Sequence, residues 1–112
     1  MTNKAFISED EVQRAVDYLR DSAGQAAQAR ADRQYVEEYR KTIKAQIMQE
    51  HSDLPLGAQE RNAYADARYI AHLDAIREAV EADEKHRFLM QAAMARIDAW
   101  RTMQATERAT RL

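Results

Sequence analysis

From Asp66 to about Arg108 the chain runs without a glycine or proline, and apolar residues return at every third or fourth position. That spacing predicts one long helix, with Tyr69, Ile70, Leu73, Ile76 and Val80 on its face, followed by Met90, Ala93, Met94, Ile97 and Trp100. At about 1.5 Å per residue such a helix would extend roughly 65 Å, well beyond the width of a compact domain of this length. Its cover is expected from the rest of the chain folding back as an antiparallel hairpin, or from a second copy or another protein. Between Val80 and Met90 the seam positions fall on Asp83 and Arg87. The stripe is interrupted there, and the neighbouring Phe88 and Leu89 predict that the buried face rotates or that one partner helix gives way to another. The closing stretch QATERATRL is polar and expected to fray.

The first arm starts with a capping signal. Ser8 followed by Glu11 fits a capping box, and Glu9 and Asp10 add negative charge at the positive end of the helix dipole. One bent helix or two helices over residues 9–50 are predicted, with Val12, Val16, Leu19, Ala23 and Ala26 on the apolar face, then Val36, Tyr39, Ile43 and Ile47 in a shifted register. The small-sided run AGQAAQARA lets another helix approach closely, and Ser22 to Gly24 offers a kink, so a break is expected near residues 22–25. HSDLPLG, residues 51–57, holds the only proline and is read as a loop whose Leu54 and Leu56 plug the end of the bundle. A short helix over 58–65 follows, then Asp66 as N-cap of the long helix over 66–108; one continuous helix from Ala58 is the competing reading.

Composition supports the same architecture. One proline and two glycines leave too little turn material for an all-β domain, and a mean hydropathy of -0.74 marks a thin core. The expectation is a single all-α domain of 112 residues, a long antiparallel helical hairpin with a short connecting helix, completed by oligomerisation with a dimer as the default. Without cysteine there are no disulfides or thiolate metal sites. The opening MTNKAFISEDE lacks an apolar leader core, and no run approaches the about 18 apolar residues of a membrane span, so a cytoplasmic protein without membrane contact is expected. The net charge of -2 is unevenly spread: residues 1–84 hold 11 Lys+Arg against 17 Asp+Glu, residues 85–112 hold 6 against 2.

Groups able to support chemistry are sparse. His51, His72 and His86 fall in three separate contexts, and Asp83-Glu84-Lys85-His86 resembles half of a carboxylate-x-x-His metal motif whose second half is missing. No phosphate loop or nucleophile elbow is present, so no cofactor, metal, catalytic residue or small-molecule substrate is assigned. Asp74, Glu78, Glu81, Asp83 and Glu84 form an acidic band, read either as a solvent face with Glu81–Lys85 and Asp83–Arg87 pairs or as a docking face for a basic partner. Trp100 with Arg96, Arg101, Arg108 and Arg111 is the main basic and aromatic cluster. Stacking and guanidinium groups suit a single strand, while Trp100 equally continues the core stripe. Tyr35, Tyr39, Arg40, Lys41 and Lys44 form a second such group, with Tyr39 read as packing and the two lysines as exposed.

The segment from Ala58 to Arg108, above all IDAWRTMQATERA after the Tyr64-Ala65-Asp66 break, resembles short helical proteins of tailed phages and prophages encoded near recombination and single-strand annealing genes. The resemblance implies an accessory role in DNA metabolism or on a host machine, and transfers no active-site residue. Three functions follow as expectations. The leading one is a non-enzymatic accessory protein of recombination or replication, contacting protein or single-stranded DNA through Arg96, Trp100, Arg101 and Arg108. The second is an inhibitor of a host enzyme or defence complex using Asp74, Glu78, Glu81 and Glu84 to imitate nucleic acid. The third is a structural, oligomer-forming assembly protein.

Overall fold

The computed structural model describes residues 7–111; residues 1–6, which open the stretch read for a leader, and Leu112 lie outside them. Three helices follow in order: α1 (Glu9–Glu50), α2 (Leu56–Ala65) and α3 (Ala67–Arg111), a helical hairpin with a short helix at its turn. No described helix is long and apolar enough to cross a membrane.

The signals at the helix ends act as their chemistry requires. The Glu11 amide donates to Ser8 Oγ at 3.2 Å, which satisfies one of the free N–H groups of the first turn. Pro55 precedes α2 without a side-chain cap, its carbonyl accepting from the Ala58 and Gln59 amides. Asp66 separates α2 from α3 with one extended backbone step, ψ 137°. Its amide closes α2 on the Ala63 carbonyl, while its Oδ1 caps α3 by accepting from the Arg68 amide at 2.8 Å. The continuous helix from Ala58 is thereby excluded. α3 stays helical through its polar end to Arg111, where Thr102, Thr106 and Thr110 each donate to the carbonyl four residues back.

α1 has no break near residues 22–25. Gly24 keeps a helical backbone, and the alanines and glutamines around it are strong or adequate helix formers, so a single glycine costs stability without ending the helix.

Both long helices turn inward residues spaced three and four apart, with one step of seven on α1 across exposed Arg40. On α1 these are Val12, Ala15, Leu19, Ser22, Ala26, Ala29, Arg33, Val36, Ile43 and Ile47; on α3 Tyr69, His72, Ile76, Ala79, Asp83, His86, Met90, Ala93, Ile97 and Trp100. Several residues of the expected stripes stand outside this seam: Val16, Ala23, Ile70, Leu73 and Met94 are exposed. Phe88 and Leu89 are exposed too, so the buried face does not rotate onto them. Ala15 and Ala93 are buried seam positions, where a small side chain lets two helix backbones approach.

The contacts group into two compact units, Ala27–Glu84 on one hand and Met1–Ala26 with Lys85–Leu112 on the other. In Ala27–Glu84 the core is Ile47, Ala63 and Tyr69, with Ile43 and Met48 packed against it, where the end of α1, α2 and the start of α3 meet. Ile47 and Ala63 are 1% and 0% exposed. Tyr64 meets Tyr69 edge to face, ring centres 5.3 Å apart. Leu56, at 65% exposure, plugs nothing; Leu54 is half-buried and its carbonyl accepts from Gln59 Nε2. In the other unit Ile7, Ala15 and Ala93 are buried, and half-buried Val12, Leu19, Met90 and Ile97 complete the packing.

A Cβ added at Gly24 meets no atom within 4 Å. Gly24→Ala is therefore expected to stabilise the chain by about 0.5–1 kcal/mol, read as a rise of a few degrees in the thermal midpoint by circular dichroism.

Candidate surface sites on the helices

The four residues of the basic end lie on the last turns of α3 within about 140° of its circumference, taking 100° per residue. Arg96, Arg101 and Arg108 are exposed, and Trp100 is half-buried between the edges that carry them. Trp100 thus occupies a seam position and offers only part of its ring to a ligand. Arg101 reaches Asp98 at 3.9 Å and Arg111 reaches Glu107 at 3.9 Å, both loose surface pairs of small energetic worth. Arg96 shares an open groove with Glu11, Arg14, Tyr18 and Leu89, floored by Ala15, Ala92 and Ala93. Because α1 and α3 are antiparallel, the acidic first turn Glu9-Asp10-Glu11 comes to the basic end of α3 and offsets part of its field.

The acidic band is divided by the structure. Glu78 and Glu81 are exposed, as is Asp74, which pairs with Arg77 at 3.6 Å. Glu84 instead turns toward α1, where Arg33 Nη1 donates to it at 3.1 Å and to Asp83 Oδ2 at 3.2 Å. Arg33 also donates through Nε to Glu37 at 2.9 Å. These bonds, Glu37 first and then Glu84, hold the guanidinium protonated more firmly than usual. Asp83 therefore serves the hairpin seam. The signal was present in the sequence: Arg33 falls at a seam position of α1, as Asp83 does on α3, so two interruptions of opposite charge call for each other.

The remaining polar groups have local duties. His72 donates from Nε2 to the Val36 carbonyl and packs at a tilt on Tyr39, ring centres 5.9 Å apart. Tyr39 also stacks on exposed Tyr35 at 5.8 Å. Lys41 is exposed and pairs with Glu38 at 3.4 Å. Lys44, expected to be simply exposed, is half-buried and donates to the Tyr64 hydroxyl at 2.8 Å, a bond that raises its affinity for its proton. His86 holds a buried Nδ1 without a hydrogen-bond partner. Among the described residues no group of three His, Asp or Glu side chains is placed to hold a metal ion.

At the hairpin turn Arg68 forks onto Glu50, both nitrogens at 2.8 Å, and onto Asp66 at 3.0 Å. This clasp ties the end of α1 to the start of α3, and composition alone does not single it out. Comparison of the chain with protein-family models, with curated proteins and with solved structures gives no match.

Glu50 and Asp66 are held below the ordinary carboxylate range, each chiefly by its hydrogen bond from Arg68. A depressed folded value means stability that is complete above about pH 4, the unfolded carboxylate value, and lost as pH falls through the folded ones. Arg68→Gln is expected to lower stability at neutral pH, with the gap from the parent closing in acid. Urea unfolding followed from pH 7 to pH 2 reads both effects.

Proposed function

We propose that this chain is a non-enzymatic helical accessory protein that works through its outer surfaces, its first business being contact with other proteins. The observation that carries this reading is the placement of apolar side chains. Val16, Leu89 and Met94 in one unit, and Tyr35, Ile70 and Leu73 in the other, stand exposed, against a buried core of six apolar residues among those described. Scattered single apolar residues need no explanation, but helices with this much apolar flank and this little core fit partner-covered surfaces. The resemblance of residues 58–108 to phage and prophage helical proteins points the proposal toward recombination or replication.

Single-stranded DNA is the second reading. Exposed Arg101 and Arg108 beside the accessible part of Trp100 support it, while Glu11 beside Arg96 limits the strength of the phosphate attraction. With two or three phosphates engaged, such affinity would fall only modestly with salt.

The immobilised chain is expected to retain a recombination or single-strand annealing protein of the phage type, and Leu89→Asp to weaken that retention by about tenfold, near 1.4 kcal/mol. A labelled single-stranded oligonucleotide titrated by fluorescence anisotropy, with Trp100→Ala and Arg101→Ala/Arg108→Ala as variants, tests the second reading. Binding of neither class of partner would refute the proposal.

A further inference from the structure

Within the unit that joins the start of α1 to the second half of α3, an open groove runs between the two helices. Ala15, Ala92 and Ala93 floor it, so the backbone of a third element can come close. Leu89, Ala92 and Arg96 line its α3 bank, and Glu11, Arg14 and Tyr18 its α1 bank. Exposed Lys85 continues the α3 bank one turn further. Steps of four, three and four keep Lys85, Leu89, Ala92 and Arg96 within about 60° of the helix circumference. From Lys85 to Arg96 this row covers about 16 Å, close to three turns of helix.

The charges of the groove are largely unanswered within the chain. Arg14, Lys85 and Arg96 are exposed, and among the described residues none of them forms an ion pair or a side-chain hydrogen bond. The banks set one carboxylate, Glu11, against these three cations. Leu89, between Lys85 and Arg96, is 46% exposed. The α3 row thus has fixed positive charge at both ends and hydrocarbon between them. A complementary occupant carries carboxylates about three turns apart and an apolar face between. An amphipathic helix presents that pattern through anchors three and four residues apart. A nucleic-acid strand carries negative charge at every step and would set phosphates over Leu89 and beside Glu11.

We propose that this groove takes an acidic amphipathic helix of a protein partner. The apolar face of that helix rests on Leu89 and the alanine floor, its carboxylates meet Lys85 and Arg96, and Arg14 engages it from the α1 bank. The Tyr18 hydroxyl adds a neutral donor on the same bank. Covering the groove takes water from around these contacts, which strengthens the charge pairs relative to exposed ones. The proposal rests on the surface-contact reading above and assigns that contact one groove and one partner chemistry.

The probe is a synthetic helical peptide of about five turns, with leucines three and four apart between glutamates spaced like Lys85 and Arg96. Titrated into the isotope-labelled full chain, it is expected to shift the amide NMR signals of residues 11–18 and 85–96. A twin peptide with lysine for glutamate should bind about tenfold more weakly. Arg14→Glu and Arg96→Glu should each raise the dissociation constant of the acidic peptide about tenfold, and the two combined should turn the preference toward the lysine peptide. Both arginines are exposed, so helix content by circular dichroism should stay unchanged. Arg77→Glu, from the other unit, should leave binding intact. Absence of binding, equal binding of the two peptides, or indifference to the arginine changes would overturn the proposal. So would a thymidine oligonucleotide that shifts the groove signals at lower concentration than the acidic peptide. Retention of a recombination protein that survives the double arginine change removes the groove and keeps the surface-contact reading; a groove that takes the acidic peptide in a chain retaining neither recombination protein nor DNA does the reverse.

Discussion

The hairpin depends on how closely two long helices can approach along a seam that advances by steps of three and four residues. Ala15 and Ala93 are the most buried seam positions in their unit, and Ala63 is fully covered by the other's core. A methyl group buries little apolar surface by itself, and at about 25 cal/mol per Å² it contributes far less than a leucine. What it provides is proximity, which brings the flanking side chains and the polar bridges into range. Beside these alanines the larger Val16 and Met94 lie outside the seam and are surface. Thin core and apolar flank lie side by side.

Polar groups within the seam follow from that geometry as well. A leucine-rich interior would exclude a guanidinium, but a shallow seam leaves its edges wet, so Arg33 sits there at intermediate exposure while meeting Glu37, Asp83 and Glu84. Partial hydration keeps the desolvation cost of the charges low, and three acceptors satisfy the fork of donors. His72 is treated similarly, its ring nitrogen bonded to a backbone carbonyl of the facing helix. These groups explain why the acidic centre of α3 is in part internal furniture and only in part a face for partners.

The helix content and the two long elements were legible because glycine and proline are so scarce and because Ser8, Pro55 and Asp66 mark ends with local chemistry. The seam itself was harder to read. Periodicity weighs large apolar residues above alanine, so it favoured Val16 over Ala15 and gave Ile70 and Leu73 the same standing as Tyr69 and Ile76. Ser22 and Gly24 are weak helix formers that signal a kink, yet their helix-forming neighbours carry α1 through them. At the candidate sites, exposure of Arg96, Arg101 and Arg108 follows from their place on α3, but the proximity of Glu11 to Arg96 depends on which ends of two distant segments meet. The roles of Lys44 and Arg68 are of the same kind, since each is defined by a partner far away in sequence.

The Arg33 layer bears on alignment. Sliding α3 by one heptad within the hairpin would carry Asp83 away and set the Arg33 guanidinium against Ile76, covering a charge with hydrocarbon. Alanine contacts tolerate such a slip, because one methyl group is much like another, whereas Arg33 keeps only Glu37 of its own helix and loses both acceptors on α3. A single charged layer among interchangeable small residues therefore selects one register from several, the role that a lone polar residue plays in the core of a coiled coil.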